Sequence, residues 1–332
     1  MARREILREA AIPLTRGDVL ALSERLDEPG WLREKRLEAW ERAESLPKPT
    51  TNDEPWRRTD IRGLHWEQAM RLASPDGETR ADVPSALTSP LIGEQQGGLL
   101  VYVNGRLVHS EMAEEIAEQG VVFSDLRTAA ESHPDLVQRY LMTEAVRPDE
   151  GKFAALQAAL WTHGIFLYVP AGIEVELPLH SVDYMPGVDM TATHILVVLE
   201  ERASATYLHE SASPTQETQT LHIGATELIV RDNANLRFVA LQNWGEHVYE
   251  FGHRRGRVGR AGQLDWVVGE MGTRLSKVFM DLDLEGDDAW GRMSGMYFAH
   301  GKQHLDLDTQ QNHRALRTTS DLLFKGALKG YS

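Results

Sequence analysis

Five times between residues 196 and 320 the chain repeats one short pattern: an apolar run, a tight polar turn around a small residue, and a second apolar run. The copies LVVLEERASATYL, LIVRDNANLRFV, GRVGRAGQLDWV, LDLEGDDAWGRM and TQQNHRALRTTS align on Ala203, Ala234, Gly262, Ala289 and Ala315, with spacings of 31, 28, 27 and 26 residues. In the first three an apolar residue stands four before the anchor (Leu199, Val230, Val258) and an aromatic four after it (Tyr207, Phe238, Trp266), while the last two match less well. Each unit reads as strand, turn, strand. None can bury its apolar side alone, but stacking them buries a continuous core and pairs every strand with its counterpart in the next coil. An antiparallel sandwich also produces short strands at such intervals, yet it does not require a small residue at the same turn each time. The pattern therefore favours a parallel β-helix.

Upstream the texture is helical. Thr15 and Asp18 offer caps before VLALSERL, Pro29 opens WLREKRLEAWERAESL, and Pro47 and Pro49 close it. Residues 74–98 read as an irregular linker. GLLVYVNGRLVHSE reads as a hairpin turning on Asn104-Gly105. The expected organisation is a helical or α+β domain over 1–150, containing that linker, and a β-helix core over 151–332 that is incomplete at its C-terminal end.

Charge and residue content narrow the function. A formal net charge of −15 argues against nucleic-acid or anionic-membrane surfaces, which would repel the chain. No stretch approaches the ~20 apolar residues of a membrane span, and MARREILREAAIPL lacks the pattern of a signal peptide, so the cytoplasm is the expected compartment. With no cysteine there is no disulfide, thiolate nucleophile or Cys-held cluster on this chain. No G-x-x-x-x-G-K-[ST], G-x-G-x-x-G or G-x-S-x-G occurs, so nucleotide hydrolysis, a dinucleotide site and a serine-hydrolase elbow find no support.

Two metal readings arise. Strand alternation puts His304, Asp306 and Asp308 on one face with Leu305 and Leu307 on the other, and Asp281, Asp283 and Glu285 repeat this one coil earlier. Such a stripe is either a cation site, with His304, Asp306 and the nearby His313 as ligands, or a solvated outer face, and the second is favoured. Gly164, Pro170 and Gly172 have the spacing of the second half of a cupin signature, but Val175 stands where a histidine ligand belongs and the His-x-His of the first half is missing. His163, His209 and His222 read as surface or hydrogen-bonded histidines.

EPGWLREKRLEAWERAESLPKPTTNDEPWRRTDIRGL (28–64), FAALQAALWTHGIFLYVPAGIEVELPL (153–179) and the run from His313 through Ala315, Thr318 and Ser320 to FKGAL resemble the SufB/SufD family of iron–sulfur cluster assembly proteins. The resemblance implies a right-handed parallel β-helix behind an N-terminal helical domain. The absence of cysteine makes the chain most similar to SufD, a scaffold subunit without turnover of its own, and argues against a SufB/SufD relative working without a paralogue. The implied partner is a SufB-type paralogue, bound through the β-helix, with iron or an iron–sulfur cluster present transiently at the level of the complex and no cofactor held firmly by this chain. Family members continue beyond the FKGAL region to helices that bind a SufC-type ATPase. Loss of SufC binding, and self-association as a homodimer through an open terminal coil, are therefore expected. The competing reading is a β-helix polysaccharide lyase that binds Ca²⁺ in the acidic stripe.

Overall fold

The computed structural model describes residues 12–71, 82–90, 95–187 and 190–332; part of the expected linker at 74–98 lies outside them. Within that stretch Ser85–Thr88 forms a single helical turn.

The strands are β1 (Gly98–Val103), β2 (Arg106–Met112), β3 (Val122–Asp125), β4 (His163–Val169), β5 (Leu179–Tyr184), β6 (Met190–Leu199), β7 (Ser204–Ala212), β8 (Thr220–Val230), β9 (Asn235–Asn243), β10 (Val248–Val258), β11 (Gln263–Glu270), β12 (Leu275–Leu284), β13 (Trp290–Gly301), β14 (His304–His313) and β15 (Thr319–Gly330). From β4 onward they alternate between two sheets, one ordered β14-β12-β10-β8-β6-β4-β3 and the other β15-β13-β11-β9-β7-β5-β1-β2. Every coil adds one strand to each sheet, in parallel register with the coil before it. The chain is thus a two-sheeted β-solenoid, with coils spaced about 4.8 Å apart along its axis. The antiparallel β1–β2 hairpin joins it through β1, which pairs in parallel with β5. Its turn works because Asn104 and Gly105 both adopt positive φ, 51° and 76°.

The repeated small residue has a backbone explanation. The residue before each anchor is left-handed, Arg202, Asn233, Ala261 and Asp288 at φ 60°, 58°, 52° and 62°, and the amide of the anchor turns back onto the carbonyl three residues earlier. The anchor points into the corner between the sheets, where Ala203, Ala234 and Ala289 are buried and a Cβ on Gly262 would lie 3.0 Å from the Arg231 carbonyl oxygen. In the last coil the left-handed residue is Arg317, at φ 56°, so the anchor there is Thr318 rather than Ala315. Leu284 and His313 are paired in register, and each stands five residues before its anchor instead of four. One additional residue in each of these turns is why the later repeats matched poorly. Leucine at Ala234 would overfill the corner, and urea denaturation of Ala234→Leu is expected to show a loss of about 1–3 kcal/mol.

Beyond the anchor, Tyr207, Phe238 and Trp266 pair in register and form a column of rings inside the solenoid, the first two stacked with centroids 5.4 Å apart and the last tilted at 53° with its centroid 6.2 Å from that of Phe238.

Helices cover one sheet. They are α1 (Arg16–Arg25), α2 (Gly30–Ser45), α3 (Leu126–Ser132), α4 (Pro134–Tyr140) and α5 (Lys152–Leu160). Thr15 and Asp18 form the capping box of α1, and Pro29 is the N-cap of α2. Helix α5, KFAALQAAL, is apolar nearly all round because it is buried on both sides, against α2 and against the outer face of the β6–β8–β10 sheet. Among the described residues no helix is long and apolar enough to cross a membrane.

Candidate functional site

Two places gather chemistry-bearing side chains: the outer face of β10, β12 and β14, and the interior between the sheets.

On the outer face, His304 and Asp306 do lie together. The hydroxyl of Thr59, from the WRRTD stretch, donates to Asp306 and sits 3.3 Å from His304 Nε2. Lys277, one coil below, donates to Asp306 at 3.0 Å and to Asp308 at 3.5 Å, with its ammonium over the Phe279 ring. Trp56 packs close by against Phe153, Phe251 and Phe279. The cluster is therefore an attachment point by which the N-terminal segment docks on the solenoid. His313 is not part of it. It lies nine residues along the same strand, roughly 30 Å away at about 3.3 Å per residue, and its odd position puts it on the face of Leu305 and Leu307. Its ring nitrogens meet Thr318 Oγ1 at 2.6 Å and Ser320 Oγ at 3.0 Å. Among the described residues no three His, Asp or Glu side chains converge to hold a metal ion. Lys277→Ala would leave Asp306 to Thr59 alone. It is expected to cost about 1–3 kcal/mol in urea denaturation and to make the segment around Trp56 more sensitive to limited proteolysis.

The acidic stripe is neutralised. Arg255 reaches Asp281 and lies 3.5 Å from Asp283, Arg314 donates to Asp283 at 3.2 Å, and Arg257 pairs with Glu285. Arg255 also donates to Glu150 at 2.7 Å and Arg257 to the Glu144 carbonyl at 3.0 Å, so both guanidinium groups bridge β12 to the loop before α5. Carboxylates occupied in this way do not form an open Ca²⁺-binding groove, and the lyase reading has no support.

The interior is polar along the side away from the anchors. His163 Nε2 meets Asp183 at 3.0 Å; Ser181 Oγ meets His209 Nδ1 at 2.8 Å and the Tyr207 hydroxyl at 2.7 Å; Thr193 Oγ1 meets His222 Nε2 at 2.6 Å. Further along the axis, Glu250 accepts from Gln242 at 2.7 Å and Ser276 at 3.0 Å, while Arg254 donates to Glu270 at 2.8 Å and to Glu250 at 3.3 Å. Burial pushes the His209 imidazole down to about 3, so it is neutral. Burial opposes ionisation of Glu250, but His222 and Arg254 outweigh it and hold the carboxyl at about 2. For Glu270 burial wins against Arg254 and pushes the carboxyl up to about 7.

His163, His209 and His222 are thus hydrogen-bonded, and all three are buried. Glu250, Arg254 and Glu270 escaped the sequence reading. Their signal was available: counting back in twos from Val258 puts Glu250 and Arg254 on its inward face, but an inward face is expected to be apolar.

The comparisons agree with this architecture. The family described as "SUF system FeS cluster assembly, SufBD core domain" matches residues 184–332, and "SufBD protein N-terminal region" matches residues 25–180. Iron-sulfur cluster assembly protein SufD of Bacillus subtilis is 32% identical over 315 residues, covering 93% of this chain and 71% of that protein. SufB of the same organism is 27% identical over 328 residues, covering 95% and 69%, and a SufBD family protein of Staphylococcus aureus shows the same identity and coverage. The two matched regions follow one another in order across the helices and the solenoid, and the chain belongs to the SufB/SufD family of iron–sulfur cluster assembly proteins.

Proposed function

We propose that this chain is a SufD-like scaffold subunit of a SufBCD-type complex, acting in the cytoplasm without turnover of its own. The observation that carries the reading is the complete absence of cysteine. A nascent iron–sulfur cluster is held chiefly by thiolates, so a family member without any leaves that role to a partner chain. The higher identity to the Bacillus SufD than to the SufB points the same way. The partner is a SufB-type paralogue that pairs through the β-solenoid, and iron or a cluster passes through the assembly as cargo shared with that partner. A SufC-type ATPase supplies the nucleotide hydrolysis for which this sequence has no phosphate-binding loop.

Light scattering coupled to size exclusion tests this on the chain alone and mixed with SufB- and SufC-type proteins from the same source. A stable complex with the SufB-type protein, together with anaerobic reconstitution that places cluster absorbance on the complex and not on the isolated chain, is the expected result. A chain that stays apart from the SufB-type protein, or builds a cluster alone, overturns the proposal.

A further inference from the structure

Halfway along the solenoid the interior is not filled. Gly224 of β8 and Gly252 of β10 pair in register, one coil from Thr193 on one side and Val278 on the other. Where their side chains would stand there is a cavity of about 30 Å³ lined by Thr193, His209, His222, Gln242, Glu250 and Arg254, among others. A water needs roughly 10–15 Å³ and two to four polar partners, and this wall supplies them. Among the described residues, two buried groups here lack a hydrogen-bond partner: His222 Nδ1 in the cavity wall and, behind Arg254 of that wall, Glu270 Oε2, on residues 6% and 0% exposed. His222 Nδ1 stands 3.6 Å from Glu250.

The charges do not balance without a proton. One guanidinium, Arg254, lies between two carboxylates, Glu250 and Glu270. A net negative charge buried with them is costly, and a proton held by Glu270 removes it. The other surroundings do not supply that compensation. His209 on β7 is neutral, and Asp183 on β5 is engaged by His163. Thr193, Gln242 and Ser276 on β6, β9 and β12 carry no charge. By strand alternation Lys277 and His253 point to the opposite face of their sheet. Gly224 and Arg254 retain partial solvent exposure, which gives a proton a route to bulk water.

We propose that this cavity binds one water, that Glu270, behind Arg254 of its wall, holds one exchangeable proton, and that coils β8 to β11 close tightly only when the proton is bound. The sign of the linkage follows from Glu270. Burial raises its carboxyl from 4.5 to about 7, so between those values the folded chain keeps a proton that the unfolded chain has lost. The stabilisation is therefore full below the lower value and disappears as pH rises through the upper one.

The test is amide hydrogen exchange in β10 and β11 of the full chain at about pH 6 and about pH 8.5, corrected for intrinsic rates, with Glu270→Gln as reference. Wild-type protection is expected to fall about tenfold relative to Glu270→Gln between the two conditions. Parallel behaviour of the two proteins overturns the proposal. A readout on the wild type alone guards against a variant that does not fold: infrared spectra should show a buried carboxylic acid at the lower pH that is lost at the higher, and its absence overturns the proposal as well. For the water, magnetic relaxation dispersion should detect one long-lived buried molecule in the wild type that Gly252→Ala displaces, since a methyl there would fill the space at 3.3 Å from Val278. A dry wild-type cavity refutes that half.

Discussion

Replacing Trp266 by alanine is expected to lower the unfolding free energy by about 3–5 kcal/mol. The indole is completely buried at the end of the Tyr207–Phe238–Trp266 stack, and its loss opens a cavity that neighbouring coils are too tightly paired to collapse into. The nature of a solenoid adds a second expectation. Each coil contacts mainly its two neighbours, so weakening the coil of β10 and β11 weakens the coupling of β12–β15 to the rest. Urea denaturation should show a reduced midpoint, and limited proteolysis should cut in β12–β15 before it reaches β4–β9. Trp266→Phe, which keeps a stacked ring, should show a smaller loss. A Trp266→Ala protein that unfolds at the wild-type midpoint would mean that the stack carries little of the stability.

Arg36→Ala is expected to cost a similar amount, about 3–5 kcal/mol. Arg36 lies on α2, 1% exposed, and donates to both carboxylate oxygens of Glu28, to Oε2 at 2.9 Å. Its remaining nitrogen donates to the Ala159 carbonyl at the C-terminus of α5 at 2.8 Å, and the guanidinium stacks over Trp161. Removing it strands a carboxylate that is 6% exposed and leaves an orphan carbonyl at a buried helix end. The double variant Glu28→Gln/Arg36→Met should recover much of the loss, because the buried charge disappears with its partner. If the double variant were as unstable as Arg36→Ala, the cost would lie in lost packing on Trp161 and not in the unpaired Glu28, and a double-mutant cycle by urea denaturation separates the two.

Several elements were legible because their determinants are local. The Asn104-Gly105 turn, the capping box of α1 and the small residue at the coil corner all follow from what one to five consecutive residues permit the backbone to do. The in-register stack of Tyr207, Phe238 and Trp266 was likewise visible as a fixed distance from the anchor. The last anchor was misplaced by three residues because Ala315 is small, whereas the turn selects the residue after a left-handed one, and that is Thr318.

By itself, then, the sequence determined the repeat and the stacked-coil architecture, because period and turn chemistry are properties of the chain, and the motifs at 28–64, 153–179 and from His313 onward carried the resemblance to the family. Tertiary structure alone decided which polar and charged side chains meet across coils. Thr59 reaches His304 and Asp306 only because the N-terminal segment folds back over β14. Arg255 and Arg257 neutralise the acidic stripe because β10 and β12 pair in one register, and a one-residue slip would turn those side chains to the other face. The polar interior depends on the same condition. A Glu, an Arg and a His at alternate strand positions look like a solvated face until a second sheet closes over them, and burial then decides which of them keeps its proton.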